Sequence, residues 1–317
     1  MSEVHLINPM RNPAGGSEHR TIALFELLSE VEAVQVWTEE DPDPAFLGKV
    51  PMRKIEAPAR FPRGGNLVFV GTYFSVGAWI QAASPKRIIL VHNLAQPERL
   101  RQVYHSLSKL NLSKVEIVYA SEAISRATPD LPGVIHESPI ELDRFSPSPS
   151  RPREFTIGRL SRDVPEKHHP DDPDLYRRLV EAGFQCRVMG GTALSITIEG
   201  VEILPENAVP ASDFLASLDV FFYRTNPAWR EAYGRVIFEA MACGLPVVAE
   251  RGHGYENKLT DGHDAIFAST NEEAFDAIMT LRNNADLRQK LGQNARQMVE
   301  QLYGAEFRAK MQIFYAG

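Results

Sequence analysis

Short β-branched segments alternate with longer amphipathic segments along the whole chain. Apolar runs at 4–7, 67–71, 88–91 and 115–119 are each followed by a stretch with helical spacing, at 21–28, 76–83, 97–110 and 122–127. Further apolar runs lie at 186–189, 220–222 and 246–248, and further helical patterns at 272–281 and 286–302. Strands that alternate with helices in this way predict parallel β-sheets covered by helices, and hence an α/β fold from end to end.

One uncharged segment, 66–85, has nearly the length that a membrane span requires. It is interrupted, because 67–71 has the pattern of a buried strand, 72–75 that of a turn, and 76–83 that of a short helix that Pro85 ends. We therefore expect a buried strand–helix unit here rather than a membrane span.

The composition changes between 143 and 155, where prolines, serines and arginines replace the apolar periodicity. Proline neither continues a helix nor donates to a sheet, so we place a domain boundary in this stretch. The prediction is two doubly wound domains, 1–145 and 146–300, followed by a C-terminal segment, 301–317, that is apolar enough to dock. Ligands of such sheets bind at the carboxyl ends of the strands, so we expect the site in the cleft between the domains.

The 317 residues are 44% hydrophobic and 24% charged, an ordinary globular composition. A formal net charge of −7 argues against an extended electrostatic contact with nucleic acid and leaves small ligands as the expected partners. Cys186 and Cys243 lie far apart and form neither a disulfide framework nor a zinc motif. The first residues lack the basic and apolar stretches of a secretory signal, so we expect a cytoplasmic protein.

The segment 231–249 carries the most informative pattern. Gly234 is expected to open a helix, Gly244 to close it, and Pro246 to begin a strand. The helix is apolar nearly all round, and Glu239 is its one carboxylate, which therefore needs a protein partner or a ligand hydroxyl. Glu231 precedes the helix N-terminus, where polar or anionic ligand groups bind well. The alternative is a capping Glu231 and a solvated Glu239.

This segment resembles the signature of retaining nucleotide-sugar glycosyltransferases of family 4 (GT4): a glutamate, seven residues, a second glutamate, and then Ala-Met-Ala-Cys-Gly-Leu-Pro-Val-Val. The resemblance implies the GT-B fold, with two Rossmann-like domains, and transfer of a sugar from a nucleoside diphosphate to an acceptor hydroxyl. It implies that Glu231 contacts the donor sugar and Glu239 the ribose. Ala232-Tyr233-Gly234 stands where the family usually has Gly-Phe-Gly, and we include Tyr233, Gly234, Arg235 and Val236 in the donor site.

A second segment, 155–167, looks like the first strand of the family's donor domain, with Gly158 and Arg159 followed by Lys167. Loss of the diphosphate places negative charge on the leaving group, which such enzymes generally stabilise with arginine and lysine rather than with a metal. We therefore assign Arg159 and Lys167 to this role, with Arg162 as a substitute. The alternative is an arginine that caps the strand and a solvated lysine.

Two features of the first domain extend the resemblance. Gly15 and Gly16 resemble the family's glycine-rich loop, whose backbone amides meet the donor diphosphate. His92 ends a strand at the position where a family histidine lies beside the reacting sugar; otherwise it is a structural histidine. In the second domain, Gly190 follows a strand that could approach the nucleotide, and Glu256 is a candidate support for the site.

The resemblance implies an acceptor-binding domain over 1–145, a donor-binding domain over 146–300, and a terminal helix, 301–317, that packs back on the first domain. We expect no cofactor besides a donor such as a UDP-sugar or GDP-sugar, and a sugar, lipid-linked or small-molecule acceptor. The basic helix at 97–114 has the pattern of a surface helix with one packed face. Because related transferases often act on lipid-linked acceptors, weak peripheral membrane association is the alternative. The group His168, His169, Asp171 and Asp172 contains metal-ligand types but has the pattern of a solvated loop.

Two other functions stay open from the sequence. A GT-B nucleotide-sugar epimerase would bind the same donor and convert it without an acceptor. A catalytically idle GT-B scaffold or binding subunit would keep the fold without turnover.

Overall fold

The computed structural model describes residues 3–13, 15–94, 96–112, 114–148, 154–194, 197–231 and 233–317. The chain divides into two compact units. Unit 1 comprises Met1–Pro139 together with Ala305–Gly317, and unit 2 comprises Ile140–Gly304. The units thus meet in sequence at 139/140 and 304/305, where the composition had suggested 145/146 and 300/301.

Within the described ranges, unit 1 contains a seven-stranded sheet whose strands are all parallel, in the order β3-β2-β1-β4-β5-β6-β7. The strands are β1 Glu3–Ile7, β2 Ala33–Thr38, β3 Met52–Lys54, β4 Asn66–Val70, β5 Arg87–His92, β6 Val115–Tyr119 and β7 Val134–Ile135. The helices are α1 Gly16–Ser29, α2 Trp79–Ala83, α3 Pro97–Ser108, α4 Glu122–Arg126 and, at the end of the chain, α10 Ala305–Ala316.

Unit 2 contains a six-stranded parallel sheet in its described residues, in the order β10-β9-β8-β11-β12-β13. The strands are β8 Thr156–Leu160, β9 Gln185–Met189, β10 Val201–Leu204, β11 Val220–Tyr223, β12 Val247–Ala249 and β13 Ile266–Phe267. The helices are α5 Asp172–Glu181, α6 Ala211–Ala216, α7 Arg235–Ala242, α8 Asn271–Asn283 and α9 Ala285–Tyr303.

The burial of the strands in these sheets accounts for the apolar runs in the sequence. β4 and β8 are buried along their whole length, as expected for parallel strands covered on both faces. The uncharged segment at 66–85 forms β4 and the short helix α2, so the expected strand–helix unit is confirmed. No helix in the described part of the chain is both long and apolar enough to cross a bilayer. The α/β prediction is confirmed in both units.

The last helix, α10, belongs to unit 1. Met311 and Tyr315 are fully buried against the unit 1 core, whereas Ile313 on the opposite side of the helix is 74% exposed. Asn66 Nδ2 donates to the carbonyl of Tyr315 at 2.9 Å, and Arg87 donates to that of Phe314. The C-terminal helix therefore completes the unit that the chain began.

We expect Met311→Ala to destabilise unit 1 by about 2–5 kcal/mol, because it opens a cavity beneath α10. Ile313→Ala on the same helix is the matched control and should change the free energy of unfolding by less than about 0.5 kcal/mol. Urea denaturation followed by tryptophan fluorescence measures both, since Trp37 and Trp79 are buried in unit 1. Equal effects of the two substitutions would contradict the docked position of α10.

Candidate active site

The predicted donor-site residues meet at the carboxyl edge of the unit 2 sheet. The loop after β8 carries Lys167, Gly190 follows β9, and Glu231 lies in the loop after β11. The turn that follows β12 carries His253. Parallel strands end at one edge of a sheet, so residues far apart in sequence come together there.

A buried ion pair joins the first two predicted catalytic residues. Lys167 Nζ donates to Glu231 Oε2, and the Tyr223 hydroxyl donates to the same oxygen at 2.9 Å. The two charged side chains are 9% and 14% exposed. Burial acts to raise the pKa of Glu231, but the Lys167 ammonium and the Tyr223 hydroxyl hold it below its usual value. Burial lowers the pKa of Lys167, and the nearby Arg162 and Arg159 add to this shift.

The backbone of Glu231 is held by the turn after β12. Its N–H donates to His253 Nδ1 at 2.9 Å, and its carbonyl accepts from Gly254 N at 2.8 Å. His253 Nε2 lies 3.0 Å from Glu250 Oε2. Glu256, the expected support, instead accepts from the Gly252 N–H at 2.6 Å and shapes the turn itself. His253 and Glu250 were not predicted from the sequence, because their contacts with Glu231 and Thr225 join the loop after β11 to the turn after β12. Tyr223 was not predicted either.

Arg159 lies elsewhere than expected. Its guanidinium is fully buried and donates to Asp172 Oδ2 at 3.1 Å, to the Arg224 carbonyl at 2.8 Å and to the Lys167 carbonyl. Arg224 binds the other Asp172 oxygen at 2.7 Å. Arg159 therefore supports the backbone of Lys167 from inside the unit, which corrects the expectation that it faces a diphosphate.

The expected solvated loop at 168–172 is also corrected. Asp172 is fully buried between Arg159 and Arg224, and His168 is 3% exposed with its Nε2 2.7 Å from the Gly190 carbonyl. Burial lowers the pKa of His168 to about 4, so the ring is neutral at physiological pH. Asp171 alone of the group has the exposure that a solvated loop implies. No group of three or more potential metal ligands occurs among the described residues.

Arg162, the substitute predicted for Arg159, lies beside Trp229. Its side chain is half-buried at the loop after β8, and its guanidinium lies 6.0 Å from the centre of the Trp229 ring. Lys167 Nζ lies 5.0 Å from the same ring. Both cations thus lie beside Trp229 at the sheet edge, which is an arrangement suited to a phosphate group.

Glu239 has the protein partner that its burial required. Arg235 Nε donates to Glu239 Oε1 at 2.7 Å, and the same guanidinium donates to Glu141 Oε2 at 2.7 Å. Burial raises the pKa of Glu239, and although Arg235 opposes the rise, Glu141 adds to it. Gly234 precedes α7 with φ at 74°, and a side chain there would also lie 2.7 Å from Tyr255, so only glycine fits well.

The other predicted donor-site residues divide into two groups. Gly190 turns at φ 78° beside Ser161, and Val236 is half-buried in the first turn of α7; both lie at the sheet edge. Gly158 lies inside β8, where a Cβ would come within 2.6 Å of Leu218, so its role is packing. Tyr233 is 8% exposed and stacks on Phe238 with 5.0 Å between ring centres. Ala232 lies outside the described residues.

In unit 1, Gly15 precedes α1 and Gly16 begins it. A Cβ on Gly15 would lie 2.0 Å from Glu18 Oε2, whereas one on Gly16 would meet no atom within 4 Å. The Glu18 carboxylate is buried and accepts from Ser17 Oγ at 2.6 Å, so negative charge already lies beside Gly15, where a diphosphate was expected. His92 ends β5 and is 1% exposed, and burial lowers its pKa to about 4.

Comparison with known proteins gives one match to a protein family and one to a curated relative. Residues 175–312 match a family model described as glycosyl transferase-like. An uncharacterized glycosyltransferase of Methanocaldococcus jannaschii, MJ1178, is 36% identical over 73 residues, which are 22% of this chain and 21% of that protein. The match therefore spans about a fifth of that relative's length.

The solved structures agree over the whole chain. HepE of Anabaena, solved in complex with UDP-glucose, superposes with a TM-score of 0.76 at 15% identity, covering 100% of this chain and 98% of that one. A glycosyltransferase of Rickettsia africae gives 0.73 at 12% identity, covering 99% and 97%. WaaG, a glycosyltransferase involved in lipopolysaccharide biosynthesis, gives 0.64 at 15% identity, covering 99% and 100%. The chain therefore has the GT-B fold, with two Rossmann-like units.

Proposed function

We propose that the protein is a retaining glycosyltransferase of the GT4 type that moves a sugar from a nucleoside diphosphate to an acceptor hydroxyl. The observation that carries the proposal is the buried Lys167–Glu231 pair at the sheet edge, in which Glu231 lies four residues before the start of the helix that contains Glu239. The UDP-glucose complex of HepE supports a nucleotide-sugar donor in this fold. The products proposed are polysaccharides, glycolipids or natural-product glycosides.

In the proposed reaction, the bond from the sugar C1 to the β-phosphate oxygen breaks, and the acceptor oxygen bonds to C1 on the same face. The acceptor proton passes to the leaving phosphate. Arg162 and Lys167 stabilise the charge on the diphosphate without a metal, and Glu231 accepts a hydrogen bond from the sugar. Glu239 accepts from the ribose hydroxyls. His92 of unit 1, neutral at physiological pH, hydrogen-bonds to the sugar or the acceptor.

The acceptor is assigned to unit 1 and the donor to unit 2. Both cysteines are free and buried, which favours the reducing cytoplasm as the location. The basic helix α3 offers fewer free charges to a membrane than its sequence suggests, because Arg101 pairs with Asp130 at 2.8 Å and with Glu98 at 2.5 Å. Any peripheral membrane contact is therefore weak.

The first test is donor binding. We expect one of UDP, GDP, ADP, dTDP and CDP to raise the melting temperature in EDTA, since a ligand at about 100 times its Kd adds roughly 2.7 kcal/mol. Glu239→Gln should weaken this nucleotide about 10- to 100-fold, because a hydrogen bond to a charged group is lost. Glu181→Gln, on the exposed end of α5, is the control.

Turnover then separates the alternatives. A retaining mechanism is supported if the free nucleoside diphosphate is released and an acceptor glycoside forms. The NMR coupling constant of the glycoside's anomeric proton should then show the same anomeric configuration as the donor sugar. An inverted anomer removes the retaining assignment, and conversion of the donor sugar without an acceptor identifies an epimerase. Donor binding without turnover, or no nucleotide binding, identifies the idle scaffold or binding subunit.

Arg159 in β8 and Arg162 in the loop that follows it should behave differently. Arg162→Met should weaken nucleotide affinity about 10-fold or more and leave the melting temperature unchanged, because the guanidinium is at the sheet edge. Arg159→Met should destabilise unit 2 by about 3–5 kcal/mol, because it leaves Asp172 with one cation fewer in the interior. Exposed Arg177→Met on α5 controls for loss of charge alone. If Arg159→Met weakened binding at full stability, the corrected assignment would be wrong.

Donor affinity should depend on pH through Glu239. Its pKa is raised above the usual value by burial, so acidification neutralises it earlier than an ordinary glutamate. Affinity for a nucleotide sugar should then fall as the pH drops through that raised pKa, by up to about tenfold per unit. Glu239→Gln should bind weakly but show no such dependence. Calorimetry with the nucleotide sugar measures this, because its diphosphate does not titrate near pH 6 as a terminal phosphate does.

A further inference from the structure

The loop that carries Glu231 is fixed at both ends by one carboxylate and one imidazole. Glu250 Oε2 accepts from the Thr225 N–H at 3.2 Å, where the loop leaves β11. His253 Nδ1 accepts from the Glu231 N–H at 2.9 Å, where the loop reaches the site. The Gly254 N–H binds the Glu231 carbonyl at 2.8 Å, so both backbone polar groups of Glu231 are bonded to the same turn.

These contacts determine the tautomer of His253. Nδ1 accepts a hydrogen bond from an N–H, so it carries no proton, and the proton of the neutral ring must lie on Nε2. Nε2 lies 3.0 Å from Glu250 Oε2, an acceptor that matches this form. The ring is 8% exposed and stacks on Tyr255, with 5.4 Å between centres, and the Tyr255 hydroxyl donates to the Glu250 carbonyl at 2.8 Å. Ring orientation and tautomer are thus both set.

We propose that His253, held in its Nε2–H form by Glu250, is a positioning residue that sets where the Glu231 carboxylate lies. The inference rests on the proposed function, in which Glu231 contacts the donor sugar. The carboxylate meets Lys167 and the Tyr223 hydroxyl through a single oxygen, so a small backbone shift separates it from both. A shift of about 1 Å at a reacting group can cost about 100-fold in rate.

Two substitutions test the roles of the two ring nitrogens of His253 separately. In His253→Asn the amide oxygen can take the place of Nδ1 and accept from the Glu231 N–H. His253→Gln places its amide near the position of Nε2, so it can bind Glu250 but leaves the Glu231 N–H without its acceptor. We expect the asparagine variant to keep kcat within about threefold of the wild type and the glutamine variant to lose about 100-fold, with nucleotide affinity unchanged in both, because Glu239 holds the ribose.

A second measurement does not depend on activity. Amide hydrogen exchange of Glu231, followed by NMR, should stay slow in the wild type and in His253→Asn and become at least tenfold faster in His253→Gln. Imidazole ¹⁵N shifts of the wild type should show a neutral ring protonated at Nε2. A wild type that binds no nucleotide sugar would refute the proposed function, and the exchange rates would still decide the role of His253.

The outcomes are distinct. Slow Glu231 exchange and normal kcat in both variants would overturn the proposal. So would equal losses of kcat in both accompanied by equal falls in melting temperature, because His253 would then act through packing alone. A loss of kcat confined to the glutamine variant, together with faster exchange at Glu231, supports it.

Discussion

The arrangement of unit 2 depends on one fully buried carboxylate shared by two arginines. Asp172 binds Arg159 at 3.1 Å and Arg224 at 2.7 Å, and all three side chains are almost without solvent exposure. Removing one member of such a group leaves an uncompensated charge in the interior, which costs about 3–5 kcal/mol. Because Arg159 also binds the carbonyls of Lys167 and Arg224, the group fixes the backbone of two loops at the sheet edge. The position of Lys167 is therefore set from inside the unit.

At the sheet edge, Lys167 and Glu231 neutralise each other. Lys167 pairs with Glu231, whose remaining polar contacts come from Tyr223 and from the turn at His253. In the proposed reaction, the donor diphosphate competes with Glu231 for the ammonium of Lys167, and a sugar hydroxyl compensates the carboxylate that is released. Preorganised groups of this kind stabilise developing charge because they need little rearrangement when it appears. In this arrangement Arg162, half-buried beside Trp229, adds the second positive charge.

The features that could be predicted from the sequence are those that local residue patterns determine. The alternation of strands and helices yielded both sheets, and the segment 231–249 correctly placed a helix between Gly234 and Gly244 with a buried Glu239. Which of the two arginines, Arg159 in β8 or Arg162 just after it, is buried could not be predicted in the same way. Arg159 and Arg162 are three residues apart, and the partner that decides between them, Asp172, comes from the next helix and is itself bound by Arg224, 52 residues further on. His253 was missed for the same reason, since its contact with Glu231 spans 22 residues.

The same reasoning explains why unit 2 begins before the proline- and serine-rich stretch. Arg235 lies between Glu239 and Glu141, so the charge of the buried helix α7 is balanced in part by a residue near the start of the unit. Arg296 on α9 binds the carbonyls of Phe145 and Ala242 at 2.8 and 2.6 Å, which ties the segment around 141–145 to the C-terminus of α7. A unit cut at 146 would lose Glu141 and leave Arg235 with Glu239 as its one carboxylate partner of this pair. The proline- and serine-rich composition indicates where the chain cannot form a sheet strand. The ion pairs of Arg235 on α7 with Glu141 and Glu239 explain why unit 2 begins before that stretch.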